Sequence, residues 1–173
     1  DLLIALGTSA LATPLTSFAQ QKSKVWRIGF LGLTTASGIA SWVEALREGL
    51  RALGYVEGKN LAIEFRWAEG KYERVPELAA QLVRLKVDVI VTHTIAGIRA
   101  AKAATTTIPI VMGTSGDPVG AGLIASLARP GGNVTGMSGF SPEATVKRLE
   151  LLKDVFPRIR QVAVLWSADN PYW

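Results

Sequence analysis

The chain has 173 residues, enough for one domain with a true core, and its 49% hydrophobic and 19% charged residues exclude a disordered chain. The formal charge is +5, yet the Lys and Arg residues are scattered and no basic run is interleaved with aromatics, so nothing marks a nucleic-acid binder. There is no cysteine, so neither a disulfide nor a cysteine-linked lipid anchor is expected.

Leu2 to Leu15 (LLIALGTSALATPL) is apolar and rich in small residues, and too short to span a bilayer comfortably. Ser17 and Ala19 follow at the two small positions that a signal peptidase reads. Residues 1–19 are therefore expected to be an export signal lacking its n-region, with the mature protein starting near Gln20.

Val25 to Leu31 (VWRIGFL) reads as a buried strand, followed by a small-polar loop from Leu33 to Ser41. Trp42, Leu46, Gly49, Leu50 and Leu53 recur at helical spacing, with Gly54 placed as a C-cap. Leu61 to Trp67 alternates: Ile63, Phe65 and Trp67 face one way, Glu64 and Arg66 the other, as in a half-exposed edge strand. Val75, Leu78, Ala79, Leu82 and Val83 mark a second helix, with Pro76 in its first turn. Val87 to Val91 is a third strand, and Ile98 to Ala104 an alanine-rich helix. Ile108 to Met112 is a fourth strand, Val119 to Ala128 a helix, and Asn133 to Met137 a fifth strand.

This alternation predicts an α/β fold: an open, doubly wound parallel sheet of order 2-1-3-4-5 with helices on both faces, spanning residues 25–140. Ser141-Pro142 then starts a further helix with Val146, Leu149, Leu152 and Phe156 on one face. Pro157 stops it, and Gln161 to Trp166 reads as a sixth strand. Residues 141–173 thus look like the start of a second α/β lobe.

In such a sheet the ligand crevice opens at the carboxyl ends of the strands, where the strand order reverses. Thr34 and Thr35, then Thr92, His93 and Thr94, then Thr114, Ser115 and Asp117 would bring hydroxyls from three loops to that crevice. The set suits a small zwitterion or polar molecule held by hydrogen bonds. A helix starting after Thr114-Ser115-Gly116 would favour a ligand carboxylate. Asp117, before Pro118, reads as a helix N-cap or as a partner for a ligand ammonium group. His93 is the only histidine; it has no orienting partner in the sequence, and no metal-ligand set accompanies it. Trp42 and Trp67 read as packing residues. Gly29-Phe30-Leu31-Gly32 with Gly38 is not G-x-G-x-x-G, and Glu64 lies inside its strand, so a dinucleotide fingerprint is missing and no cofactor is expected.

Gly116-Asp117-Pro118-Val119-Gly120 and Leu127-Ala128-Arg129-Pro130-Gly131-Gly132-Asn133-Val134-Thr135-Gly136 resemble the signature of a family of bacterial ABC-transporter substrate-binding proteins. Arg47 to Tyr55 (REGLRALGY), Glu77 to Val91 and Lys147 to Leu152 (KRLELL) are similar to that family as well. The resemblance implies a periplasmic-binding-protein fold of the type I kind, with the solute held between two lobes that close about a hinge. Met137, Ser138, Gly139 and Phe140 would form the first crossing between lobes, and Asp169 and Asn170 would begin the wall of lobe two. It further implies an exported, soluble, periplasmic protein without catalytic activity or a stable membrane anchor. Such a protein carries an amino acid or similar solute to an ABC permease in the inner membrane. Two lobes need roughly twice this length, so this chain is expected to hold one wall of the site and to bind weakly or not at all. Two other classes compete with this reading: a nucleotide-dependent oxidoreductase on a Rossmann-like sheet, and a ligand-sensing domain of a membrane receptor.

Overall fold

The computed structural model describes residues 24–139 and 146–163 in full, and the backbone of residues 142–145. The expected export signal, Phe140, Asp169 and Asn170 lie outside the described residues. In chain order the elements are β1 (Trp26–Gly32), α1 (Ala40–Ala52), β2 (Leu61–Trp67), α2 (Val75–Arg84), β3 (Val89–His93), α3 (Thr94–Ala104), β4 (Ile110–Thr114), β5 (Val134–Gly136) and α4 (Pro142–Val155). All five strands are parallel, in the order β2-β1-β3-β4-β5. The sheet is therefore the doubly wound one that the alternation predicts.

Strand period 2 sends alternate side chains to the two faces. From β1, Leu31 enters a core shared with Leu78, Leu82, Ile90, Ile98, Ile110 and Met112, beneath α2 and α3. Phe30 enters a smaller core with Ile39 and Val43 beneath α1, backed by Ile63, Phe65 and Trp67 of β2. Burying a large aliphatic side chain contributes about 1.5–3 kcal/mol, so the α2–α3 face supplies most of the stabilisation. Gly32 is required under Trp67, because a Cβ there would overlap the indole ring.

Helix α1 keeps Leu46 and Leu50 of its expected face partly buried but leaves Trp42 and Leu53 exposed. Val43 is its buried residue, whereas Trp42 is 56% exposed. The buried stripe starts at Val43 instead of Trp42. The helix closes as expected on Gly54, with φ 86°; the Tyr55 N–H bonds the Leu50 carbonyl and the Gly54 N–H bonds that of Arg51. That is a Schellman closure.

One expected element is absent, and another is only partly within the described residues. Val119 to Ala128 is a series of turns, not a helix. Gly122 sits at φ 69°, which breaks helical continuity. Leu123 and Ile124 fold back into the α2–α3 core, and Lys102 Nζ donates to the Leu123 carbonyl at 2.6 Å. Tertiary burial thus overrides a weak local helix preference. Residues 161–163 form no strand, and 164–166 lie outside the described residues. In α4, Val146, Leu149, Leu151 and Val155 are exposed.

Candidate functional site

The carboxyl ends of β1, β3 and β4 are neighbours at one rim of the sheet. His93 and Thr114 are paired across β3 and β4, with a register irregularity between Thr92 and His93. The His93 Nε2 accepts the backbone N–H of Leu33 at 3.2 Å, which ties the β3 end to the β1 loop. An Nε2 that accepts leaves the proton of a neutral ring on Nδ1. The ring is 6% exposed, and burial pushes its pKa below the ordinary histidine value. Trp42 stands edge-on to it, with ring centroids 6.3 Å apart at 85°. Trp42 is therefore a half-exposed wall of the rim instead of a packing residue.

Thr94 carries the most unusual backbone at the rim. Its φ is 64°, a left-handed conformation that β-branched residues avoid. Its Oγ1 is buried without a hydrogen-bond partner among the described residues. Thr94 is also the first residue of α3, which starts four residues earlier than the sequence suggests. No side chain caps that helix start, so its first N–H groups remain unsatisfied by the usual device. The helix N-terminus expected beside Thr114 and Ser115 is thus not there; the one at the rim belongs to α3.

The other expected residues divide into two groups. Thr34 and Thr35 are exposed in the β1 loop, where Thr35 Oγ1 accepts the Gly38 N–H at 3.2 Å. Thr114 is half-buried at the end of β4. Thr92, by contrast, is 1% exposed, and its hydroxyl donates to the Leu31 carbonyl at 2.9 Å. It braces β1 against β3 and faces the α3 core, where Gly97 leaves room for its Oγ1. Asp117 acts as a turn cap: its Oδ1 accepts the N–H groups of Val119 at 3.1 Å and Gly120 at 2.8 Å. The cap is real, but it serves a single turn.

Ser115 is 7% exposed and belongs to a seam that sequence reasoning missed. The Met137 N–H donates to the Met112 carbonyl at 2.9 Å and the Gly139 N–H to the Ser115 carbonyl at 3.2 Å. The Ser138 hydroxyl donates to the Gly116 carbonyl at 2.7 Å. The expected hinge residues Met137, Ser138 and Gly139 are thereby laced to the loop that follows β4. Gly136, at φ 131°, is the bend that admits this, since a Cβ there would overlap the Met112 backbone. Backbone-to-backbone lacing of this kind leaves no side-chain pattern to read.

Among the described residues no group of three or more His, Cys, Asp or Glu could hold a metal ion. No helix among them is long and apolar enough to cross a membrane. Of two cavities, one is remote from the rim and the other reaches Ala36 and Ser41 beside the β1 loop. One of about 190 Å³ at the amino end of the sheet is lined by Trp26, Leu50, Tyr55 and Asp88, among others. One of about 560 Å³ lies between α1 and β2, against Arg47, Phe65 and Trp67.

The sheet is an open, doubly wound α/β lobe, and the carboxyl rim where such sheets place ligands carries hydroxyls and a helix start. Residues 28–171 match the ABC transporter substrate binding protein family, and the chain belongs to that family. It is 36% identical over 123 residues to a tyrosine-binding protein of Clostridioides difficile (strain R20291), covering 71% of this chain and 35% of that protein. A conserved domain protein from Vibrio cholerae has a crystal structure matching with TM-score 0.70 and 36% identity, over 78% of this chain and 45% of that one. An ABC domain from Streptococcus pneumonia, solved in complex with L-Trp, matches with TM-score 0.67 and 30% identity, over 76% of this chain and 44% of that one. The chain therefore spans about a third of its curated relative and under half of these structures.

Proposed function

We propose that this chain supplies one wall of the binding site of an exported receptor that captures an aromatic amino acid and delivers it to an ABC permease. Residues 25–140 form the first lobe in this reading, residues 141–173 begin the second, and residues 1–19 are the export signal. The observation that carries the proposal is the start of α3. Its N–H groups have no side-chain cap, and the buried Thr94 hydroxyl beside them has no partner. A ligand carboxylate meets the first need by accepting from helix N-terminal N–H groups, and the second once the Thr94 side chain turns its hydroxyl out to the rim. His93, held neutral by burial, brings no competing charge, and the exposed edge of Trp42 offers a surface for an aromatic side chain. Support for the solute class comes from the relatives, one a tyrosine-binding protein and another crystallised with L-Trp. Thr34, Thr35 and Thr114 provide further hydroxyls at the same rim, while Met137 to Gly139 lead away from it as the crossing. The reaction class is capture and release, without bond making.

A thermal-shift series on the purified chain tests this, with tyrosine, tryptophan, phenylalanine, leucine and NAD as probes. A ligand that binds the native state alone raises the melting temperature. A rise with tyrosine or tryptophan at millimolar concentration is the expected result. A rise with NAD alone would replace the receptor by a nucleotide-binding enzyme.

A further inference from the structure

We propose that the outer edge of β2 is a dimer seam, pairing antiparallel with β2 of a second copy of this chain about a two-fold axis through Phe65. β2 is the end strand of the sheet: its ladder partner is β1, and among the described residues its outer side is bridged only at Leu61, to Glu57. The Trp26 N–H donates to Asn60 and the Ala68 N–H to Gly32, so the even-numbered residues of β2 turn their backbone groups toward β1. By strand alternation, Leu61, Ile63, Phe65 and Trp67 turn theirs outward. Gly58 already occupies the outward carbonyl of Leu61. The open window is then Ile63, Phe65 and Trp67, which is symmetric about Phe65.

That symmetry selects a register. With Phe65 opposite Phe65, Ile63 falls opposite Trp67, and these pairs each exchange two N–H···O bonds. The same register sets Glu64 opposite Arg66, twice, across the axis. The neighbouring registers that respect the backbone alternation put Glu64 against Glu64 or Arg66 against Arg66, which repel. Backbone availability and side-chain charge therefore choose the same alignment independently. Arg66 presently donates from Nη1 to the Phe65 carbonyl at 2.7 Å and from Nε to Gln81 Oε1 at 2.9 Å, and lies 4.0 Å from Glu64 of its own strand. In the dimer the partner's strand takes over that carbonyl, and the guanidinium turns to the facing carboxylate. On the α1 face, Phe65 and Trp67 are already stacked, with centroids 5.6 Å apart at 6°. The cavity of about 560 Å³ between α1 and these two rings gives the aromatic row of the second copy room to continue the stack. The seam runs along the strand and not across its end, so the ligand rim stays open.

Sedimentation velocity on the whole chain tests this, with Glu64→Arg, Arg66→Glu and the double exchange as variants. Both positions are partly exposed, and circular dichroism reports whether each variant keeps the fold. The expected result is a dimer for the unaltered chain, monomers for each single variant and a dimer again for the double exchange, which restores opposite charges in the same register. Ile63→Pro deletes an outward N–H without touching the β1 ladder, and it too should give a monomer. A monomeric unaltered chain overturns the proposal. So does a dimer that survives both single exchanges, or a folded double exchange that stays monomeric.

Discussion

His93 closes the gap between two strands: its Nε2 accepts the Leu33 N–H at 3.2 Å, so the end of β3 fixes where the β1 loop begins. This bond needs a neutral ring, because a protonated imidazole has no acceptor left. The loop that carries Thr34 and the helix start that carries Thr94 are thus spaced by one uncharged side chain.

Acid should loosen that spacing. Burial keeps the folded pKa of His93 below its ordinary value, which is about 6.5. The unfolded chain then binds the proton more readily than the folded one as pH falls. This stability contribution is full above the unfolded value and is lost as pH drops toward the folded one. Urea midpoints at about pH 7.5 and 5 should fall with acid, and the fall should shrink in His93→Asn. An equal fall in both proteins would assign the acid sensitivity to other groups.

Thr94 should separate strain from binding. Thr94→Gly relieves a left-handed backbone that costs roughly 1–2 kcal/mol, and a raised urea midpoint is the expected outcome. Thr94→Val keeps the strain and the shape but lacks the hydroxyl. Its affinity for tyrosine or tryptophan, by calorimetry, should fall about tenfold, which corresponds to roughly 1.4 kcal/mol. Unchanged affinity in Thr94→Val would remove this hydroxyl from the site.

Gly136 and Gly132 form a matched pair. Alanine at Gly136 meets the Met112 backbone and a φ of 131°, whereas alanine at Gly132 meets nothing within 4 Å. We expect Gly136→Ala to cost about 2–4 kcal/mol and Gly132→Ala less than about 0.5 kcal/mol. Thermal melts of the two variants report the difference directly. Similar losses in both would show that β5 tolerates a side chain at its bend.

Trp42 should matter to the ligand and little to the fold. It is 56% exposed and touches His93 through its edge. Trp42→Ala should leave the urea midpoint nearly unchanged while weakening aromatic ligands about 2–10-fold, the range of one aromatic contact. Leucine affinity should be hardly altered. A uniform loss across all amino acids would make Trp42 a general wall.

The sheet order was legible largely because β1, β3 and β4 are short, mainly apolar runs separated by helical periodicities. β2 was legible residue by residue, since its alternation of Ile63, Glu64, Phe65, Arg66 and Trp67 is the physical mark of an edge. The turns after Asp117 were not, because Leu123 and Ile124 have the spacing of a helix face and only Lys102 and the core reveal that they fold back. At the rim, Thr and Ser could be placed but not sorted. Whether a hydroxyl is used inside, like that of Thr92, or left without a partner, like that of Thr94, depends on neighbours some sixty residues away.

Helix α1 is held to the sheet by little more than Ile39 and Val43, while α2 and α3 share the larger core. Segments with few buried apolar contacts open first in native-state amide exchange. Among the three helices packed on the sheet, the one that carries Trp42 should therefore take up deuterium soonest, ahead of α3. A solute lodged between Trp42 and the start of α3 would join a loosely held helix to a firmly held one. Occupancy of the rim could then be followed as slowed deuterium uptake in α1, without any label on the solute.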